Sequence, residues 1–250
     1  MLKLNKIKVL VTRPAQQANL LCKMIEAESG EAVRLPVIEI VEIADKTALL
    51  NCNLNNNDFA IFISANAVEK ALPNLELPPE CQVFAVGKRT AETLKQSGIT
   101  AHCPPPPFNS EALLEIPKLQ KIQGKKIVIF RGEGGRELLA KTLQQRGAIV
   151  NYVNVYRRIQ PPTPAKINPV DIITITSVQG LKHLLNMLKG QTWVKNTPLV
   201  VISERIAIKA KEWGINAPIF IATSASDKGI FNAVLEAQFR LLSFQNNPKP

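Results

Sequence analysis

The chain has 250 residues, of which 46% are hydrophobic, and a formal net charge of +11 at pH 7. This size and hydrophobic content predict a globular protein with two domains. No apolar run approaches the ~20 residues of a membrane helix, and the opening MLKLNKIKVLVTRP lacks the unbroken apolar core of a signal peptide. We therefore expect a cytoplasmic protein without a membrane partner.

Cysteine usage and charge narrow the choice of ligands. The four cysteines have no CxxC spacing and do not group with the two histidines, which predicts cytosolic thiols and argues against a zinc site. The positive charge favours an anionic partner. Because aromatic residues make up only 5% of the chain and no nucleic-acid-binding motif is present, a polycarboxylate or phosphate fits at least as well as nucleic acid.

Strands and helices alternate from the start of the chain. Residues 9–43 read as strand, turn at Arg13, helix and strand, and residues 59–72 as a strand followed by a helix that starts near Ser64. Residues 82–99 repeat the strand and helix pattern.

The fourth block, residues 101–116, passes through four consecutive prolines into a short amphipathic helix, and Ser110 precedes that helix.

The same order of elements then recurs. Residues 127–158, 172–188, 199–215 and 218–235 match the four earlier blocks at an offset of about 112 to 119 residues. Strands that alternate with helices predict parallel sheets covered by helices on both faces. The repeat therefore predicts two similar α/β domains, each with a parallel sheet.

The repeat also predicts how the domains connect. The strands that end the two matching first blocks can pair as a two-stranded antiparallel ribbon that carries the chain across and back. The predicted parts are a discontinuous first domain (1–36 and 160–243), a second domain (44–151), the linking ribbon (37–43 and 152–159) and a disordered tail (244–250).

Ligands of such sheets bind beyond the carboxyl ends of the strands, at helix N-termini. These positions are rich in Ser, Thr, Gly and Arg and poor in His, Asp and Cys, which is typical of a site that holds oxyanions. The positions are Arg13, Ser64, Gly87 to Thr90, Ser110, Gly132 to Arg136, Ser177, Ser203 to Arg205 and Ser224 to Asp227.

The set of blocks resembles the uroporphyrinogen-III synthase family, in its proteobacterial form, over nearly the whole chain. The order and spacing of the motifs carry the resemblance, since no single motif is specific. The motifs are Thr12-Arg13-Pro14, Ser64 with Ala67-Val68, Gly87 with Thr90-Ala91, the FNSEALL segment from Phe108, the RGEGGREL turn from Arg131 to Leu138, and Tyr156 in VYRR.

The resemblance implies a lyase that needs neither cofactor nor metal. Its substrate would be hydroxymethylbilane, a linear tetrapyrrole with eight carboxylates, which loses its terminal hydroxyl as water and closes with the last ring inverted. The resemblance further implies a monomer, two α/β domains joined by a two-stranded ribbon, and a site in the cleft between them. Whether the protein makes transient contact with hydroxymethylbilane synthase, which supplies this substrate, stays open.

Residue roles follow from the resemblance. It assigns Tyr156 as the catalytic hydrogen-bond donor or general acid for the departing hydroxyl; the alternative is a packed strand tyrosine. It assigns substrate binding to Arg13, Ser64, Thr90, Ser110, Arg131, Gly132, Gly134 and Ser177.

Each of these binding residues also has an ordinary structural explanation. Ser64 and Ser177 can be helix N-caps, and arginines in turns, including Arg136, are usually solvated. Ile206 occupies the position that matches Thr90 in the other domain, which casts doubt on a polar contact there.

Two other functional classes stay open. A two-lobed protein that closes on small anions would have a similar architecture, although the chain carries no secretion signal. A basic regulator with paired receiver-like domains would need clustered aspartates after its first strands to hold a metal. Thr12-Arg13 and Arg131-Gly132 occupy those positions, and the glycine turn does not match the GxGxxG pattern of a dinucleotide site.

Overall fold

A computed structural model describes residues 4–52, 54–135, 137–163 and 167–246. Ten strands and ten α-helices lie along these residues. The strands are β1 (Lys8–Val11), β2 (Glu31–Arg34), β3 (Glu39–Glu42), β4 (Phe59–Phe62), β5 (Gln82–Ala85), β6 (Lys126–Gly132), β7 (Ile149–Ile159), β8 (Ile172–Ile175), β9 (Leu199–Val201) and β10 (Ile219–Ile221). The helices are α1 (Ala15–Ala27), α2 (Thr47–Leu50), α3 (Ala65–Ala71), α4 (Lys88–Gln96), α5 (Ser110–Leu114), α6 (Leu138–Gln145), α7 (Val178–Met187), α8 (Trp193–Asn196), α9 (Glu204–Glu212) and α10 (Asp227–Asn246).

The strands form two five-stranded sheets. Sheet A has the order β2-β1-β8-β9-β10, and all its neighbours are parallel. Sheet B has the order β3-β7-β6-β4-β5, and the β7-β6-β4-β5 pairs are parallel. Two α/β domains with parallel sheets are therefore confirmed.

The chain divides into two compact units. Unit 1 consists of the residues up to Glu39 and from Ile159 onward, and unit 2 of Ile40–Arg158. The strands of the predicted ribbon are β3 and β7, which are neighbours in sheet B. Because β7 also pairs with β6 along most of its length, the ribbon is continuous with the sheet of unit 2.

Each sheet has apolar clusters sealed by pairs of helices. In unit 2, α3 and α4 contact each other, as do α5 and α6, and the core is divided into one cluster around Phe62 and Phe130 and another around Ile129 and Leu143. In unit 1, the pairs are α1 with α10 and α7 with α9. This arrangement leaves the carboxyl ends of the strands and the loops that follow them to carry functional groups.

Two segments depart from the expected repeat. Residues 36–43 and 152–158 were expected to match as strands, but the first stretch is interrupted: Pro36 lies in the gap between β2 and β3, where it cannot donate a backbone hydrogen bond. Likewise, the counterpart of β10 in unit 2 is reduced to a single bridge between Phe84 and His102, since a run of four prolines begins two residues after His102.

The C-terminal helix is longer than predicted. Residues 244–246, placed in a disordered tail, belong to α10, and residues 247–250 lie outside the described residues. The helix continues because Leu241 still packs against the core of unit 1 and the Ser243 hydroxyl donates to the Phe239 carbonyl. Among the described helices, none is both long and apolar enough to cross a membrane.

Candidate active site at the carboxyl end of sheet B

A bulge in β7 decides where Tyr156 points. Arg131 of β6 pairs with Asn154, but the next residue, Gly132, pairs with Tyr156, so Val155 is an extra residue in β7. Val155 and Tyr156 are both buried in the same apolar cluster. Regular alternation along the strand would place Tyr152 and Tyr156 on one face, but the bulge puts them in different clusters on the two faces of sheet B.

Glycine at position 132 makes room for the ring of Tyr156. A Cβ atom there would lie 2.5 Å from Cε2 and 2.6 Å from Cζ of the tyrosine. The Glu133 N–H also donates to the Tyr156 carbonyl at 2.8 Å. The backbone of β6 therefore fixes both the ring and the main chain of Tyr156, which is only 1% exposed.

The hydroxyl of Tyr156 contacts two polar side chains. It lies 3.1 Å from Ser64 Oγ, and the Arg158 Nη2 group donates to it at 3.5 Å. Ser64 is the N-cap of α3 and its Oγ accepts from the Ala67 N–H at 3.2 Å. Two predicted site residues, Tyr156 and Ser64, therefore form a hydrogen-bonded pair.

Arg131 is buried on the other side of the sheet. Its guanidinium lies 4.2 Å from the centre of the Tyr152 ring, and its Nη1 donates to Glu137 Oε1 at 3.1 Å. Tyr152 in turn donates to Glu137 Oε2 at 3.2 Å. Burial, reinforced by the Glu137 carboxylate, raises the pKa of Tyr152. Arg131 is therefore held by partners within the chain and is 7% exposed.

A cavity of about 180 Å³ lies beside this arginine. Its walls are apolar except for Arg131, Ser110 and the Tyr152 hydroxyl. Gly135, with φ +142°, brings its backbone close to the guanidinium, since a Cβ there would lie 3.8 Å from Nη2. Arg131 and Ser110 are thus brought together, on the face of sheet B opposite to Tyr156.

Ser110 does not cap its helix. Asn109 is the N-cap of α5, and its Oδ1 accepts from the Ala112 N–H at 2.7 Å. Asn and Ser are both favoured N-cap residues, so the sequence alone could not show which of the two caps α5.

The remaining predicted residues of unit 2 are Thr90, Gly134 and Arg136. Thr90 lies in α4 and is buried, while Gly134 adopts φ +65°, with open space where a Cβ would be. Arg136 lies outside the described residues.

Unit 1 has a serine at the matching position. Ser177 is the N-cap of α7, and its Oγ accepts from the Gly180 N–H at 2.9 Å. A Cβ on Gly180 would lie 3.4 Å from Val37 Cγ2, and His183 Nδ1 lies 2.7 Å from the Val37 carbonyl. A valine in the segment after β2 therefore packs near the helix start that Ser177 caps.

Arg13 forms an ion pair with Asp227 at the start of α10. Thr12, just before it, donates to the Thr174 carbonyl at 2.5 Å and is buried. In the part of the chain that the structure describes, the carboxyl end of sheet A presents Arg13, Ser177 and Ser203 but no phenol.

The comparisons with known proteins agree with this architecture. The family model "Uroporphyrinogen-III synthase HemD" matches residues 20–232. Uroporphyrinogen-III synthase of Salmonella typhimurium is 32% identical over 91% of this chain and 100% of its own length, and that of Escherichia coli is 30% identical over the same shares.

The chain belongs to the uroporphyrinogen-III synthase family. Enzymes of this family act in tetrapyrrole biosynthesis, and the chain is therefore an enzyme of tetrapyrrole biosynthesis.

Solved structures of uroporphyrinogen-III synthases have the same fold. The Helicobacter pylori protein aligns with a TM-score of 0.64 at 17% identity, over 94% of this chain and 99% of that protein. A variant of the Thermus thermophilus protein aligns with a TM-score of 0.62 at 16% identity, over 94% and 99% of the respective chains.

Four residues near the predicted site escaped the sequence reasoning. Glu137, Tyr152 and Arg158 lie in the predicted turn and strand, but no role was predicted for them. Asn109 was not predicted to cap its helix, because Ser110 beside it was considered instead. The sequence signal for Arg158 was its place two residues after Tyr156, which keeps it on the same side of a regular strand.

Proposed function

We propose that the chain closes hydroxymethylbilane to uroporphyrinogen III with inversion of the last pyrrole ring, and that Tyr156 supplies the proton for the departing hydroxyl. Family membership supports the reaction. The observation that supports the role of Tyr156 is its hydroxyl, which is 3.1 Å from Ser64 Oγ at the carboxyl end of sheet B. The alternative, a strand tyrosine that is only packed, also fits an exposure of 1%, and the Tyr156→Phe variant separates the two roles.

The proposed chemistry balances without a cofactor. The pyrrole nitrogen pushes electrons toward the terminal CH₂–OH, the C–O bond breaks, and the oxygen leaves as water with the proton from Tyr156. The substituted carbon of the last ring attacks the exposed CH₂ to give a spirocyclic pyrrolenine. The bond from that carbon to its original methylene bridge then breaks, and the unsubstituted α-carbon of the same ring attacks the methylene carbon that is released. The proton lost from this α-carbon returns to the phenolate, so the net change is loss of one water.

Substrate carboxylates would be held at the loops after the strands. Backbone N–H groups at helix starts, together with hydroxyls and guanidinium groups, are suited to this task. The proposed contacts in unit 2 are Ser64, Thr90, Ser110, Arg131, Gly132 and Gly134, and those in unit 1 are Arg13 and Ser177. The uninverted isomer forms without an enzyme, so the main task of these contacts is to orient the last ring.

We also propose a cytoplasmic monomer without nucleic-acid partners. All four cysteines are among the described residues and none of them is in a disulfide, which fits a reducing compartment. A transient contact with hydroxymethylbilane synthase would shorten the exposure of an unstable substrate.

A coupled assay tests the reaction. Hydroxymethylbilane is generated in situ, the purified chain is added without metal or cofactor, and the porphyrins are oxidised and separated by chromatography. A product dominated by isomer III is the expected result. Isomer I alone, from protein with a cooperative thermal transition, would remove the proposed function.

A further inference from the structure

Two fixed donors constrain the polarity of the hydrogen bonds around Tyr156. The backbone N–H of Ala67 can only donate, and it donates to Ser64 Oγ at 3.2 Å. The guanidinium of Arg158 has no acceptor, and its Nη2 donates to the phenol oxygen at 3.5 Å. Only the direction of the Ser64–Tyr156 bond is left to choose.

The two directions have different consequences. If Tyr156 donates to Ser64, its proton is used inside the pair and cannot reach a ligand. If Ser64 donates to Tyr156, the phenol oxygen accepts from Ser64 and Arg158, and its own O–H is free to point elsewhere. A chain of bonds that all run in one direction, from Ala67 through Ser64 to Tyr156, is also strengthened by mutual polarisation.

We infer that Arg158 is a positioning residue, which together with Ser64 directs the Tyr156 proton toward the substrate. The positive charge of Arg158 stabilises the negative charge that develops on the phenol oxygen as the proton leaves. The Arg158 Cζ also lies 5.8 Å from the centre of the Tyr156 ring, within the range of a cation–π contact. This inference rests on the proposed function and adds a role that acts only through Tyr156.

The surroundings make this arrangement effective. Tyr156 is 1% exposed, and bonds in a site with little water are stronger than the same bonds in solvent. Gly132 presses against the ring, so the phenol oxygen cannot turn away from its partners. Of Ser64, Ala67, Gly132 and Arg158, only Arg158 is exposed, and its substitution should therefore leave the fold intact.

A double-mutant cycle in the coupled assay tests the inference. The variants are Arg158→Gln, Tyr156→Phe and their combination, with the initial rate of isomer III measured over a range of hydroxymethylbilane concentrations. Arg158→Gln should lower kcat about tenfold, because the phenol oxygen loses the nearby positive charge that favours its charged form, and should change KM less than about twofold. In the Tyr156→Phe background, which has no hydroxyl to direct, the same substitution should change the residual kcat by less than about twofold.

Two further variants serve as matched controls. Arg157→Gln removes the same charge from the neighbouring exposed residue and should leave kcat within about twofold of wild type. Arg158→Lys keeps a positive donor and should restore kcat to within about threefold of wild type.

The outcomes separate the inference from the function on which it rests. Wild-type protein that makes only isomer I removes the proposed function. Wild-type protein that makes isomer III, together with an Arg158→Gln effect that persists in the Tyr156→Phe background, overturns the inference, because Arg158 would then act on the substrate directly. An unchanged kcat in Arg158→Gln overturns it as well.

Discussion

The two units carry the same serine at the start of matching helices but surround it differently. Ser64 and Ser177 are N-caps with φ near −160°, and each accepts from the backbone N–H three residues later. Ser64 has the Tyr156 hydroxyl as a further partner. Near Ser177, the residue 119 positions before Tyr156 is Val37, an apolar side chain that packs close to Gly180.

The two units also differ at the carboxyl end of the strand that lies beside each serine. Gly132 leaves room for the tyrosine ring in unit 2, whereas the residue 118 positions earlier, in the matching register of sheet A, is Pro14. Among the described residues, a buried phenol therefore lies at the carboxyl end of sheet B and not at that of sheet A. We interpret unit 2 as the unit that supplies the chemistry and unit 1 as a unit that binds carboxylates.

The largest expected effect comes from filling the space that Gly132 leaves. In Gly132→Ala the new methyl group would lie 2.5 Å from the Tyr156 ring, so the ring must move. Displacement of a catalytic group by about 1 Å can cost 100-fold in rate, and overpacking costs roughly 1–3 kcal/mol of stability. The isomer assay and thermal unfolding together measure both losses.

Gly87→Ala is the matched control for this substitution. A Cβ at residue 87 would meet only Phe108 Cβ, at 3.6 Å, and the N-cap φ of −150° suits any residue. Its Tm should stay close to that of wild type. Equal losses of Tm in the two variants would contradict a specific fit between Gly132 and Tyr156.

An intermediate effect should distinguish the two serines. Ser64→Ala and Ser177→Ala each remove one N-cap and should lower the free energy of unfolding by a similar ~1 kcal/mol. Their kinetics should differ: Ser64→Ala lowers kcat by about tenfold, because Tyr156 loses a donor, whereas Ser177→Ala raises KM and leaves kcat near wild type. The same kinetic pattern in both variants would show that the comparison between the units has no catalytic meaning.

The smallest effect concerns two aspartates at the amino ends of the sheets, away from the candidate site. Asp58 directly precedes β4, and Asp171 directly precedes β8. Asp58 accepts from the Lys126 N–H at 2.9 Å, as Asp171 accepts from the Lys8 N–H at 2.6 Å, but Asp58 also pairs with Lys125 Nζ at 2.7 Å. The Lys125 hydrogen bond, followed by that from the Lys126 backbone, lowers the pKa of Asp58 below 3.8. The bonds therefore stabilise the fold above that ordinary pKa, and the contribution is lost as the pH falls through the lower folded-state pKa.

Urea unfolding of wild type and Asp58→Asn checks this sign. At pH 7 the variant should be less stable by no more than about 1 kcal/mol, because the pair is open to solvent, and the difference should shrink as the pH falls through the lowered pKa of Asp58. A difference that grows toward low pH would contradict the assigned cause.

Much of the fold could be predicted because the same order of strand and helix blocks occurs twice in the sequence. Alternating apolar blocks and their recurrence were enough for two parallel α/β sheets and for the approximate place of most helices. Local pattern could not supply the bulge at Val155, since its position depends on how β7 pairs with β6. That bulge places Tyr156 against Ser64, so regular alternation predicted the wrong face for the residue that matters most.

Helix starts show a similar limit. Neighbouring residues that can cap a helix compete, such as Asn109 with Ser110 and Thr176 with Ser177. The structure separates them, since the caps are Asn109 and Ser177. The roles of Glu137 and Tyr152 also needed the structure. The partners of Arg131 come from a turn and a neighbouring strand that meet only in three dimensions.

The most direct test of the assignment of chemistry to unit 2 is the rate of isomer III formation by Tyr156→Phe relative to wild type in the coupled assay. Removal of a general acid typically costs 10² to 10⁴ in rate, and we expect a loss of about 100-fold or more with KM nearly unchanged. Activity within about twofold of wild type, which corresponds to roughly 0.4 kcal/mol of barrier, would contradict the account and return Tyr156 to the role of a packed strand residue.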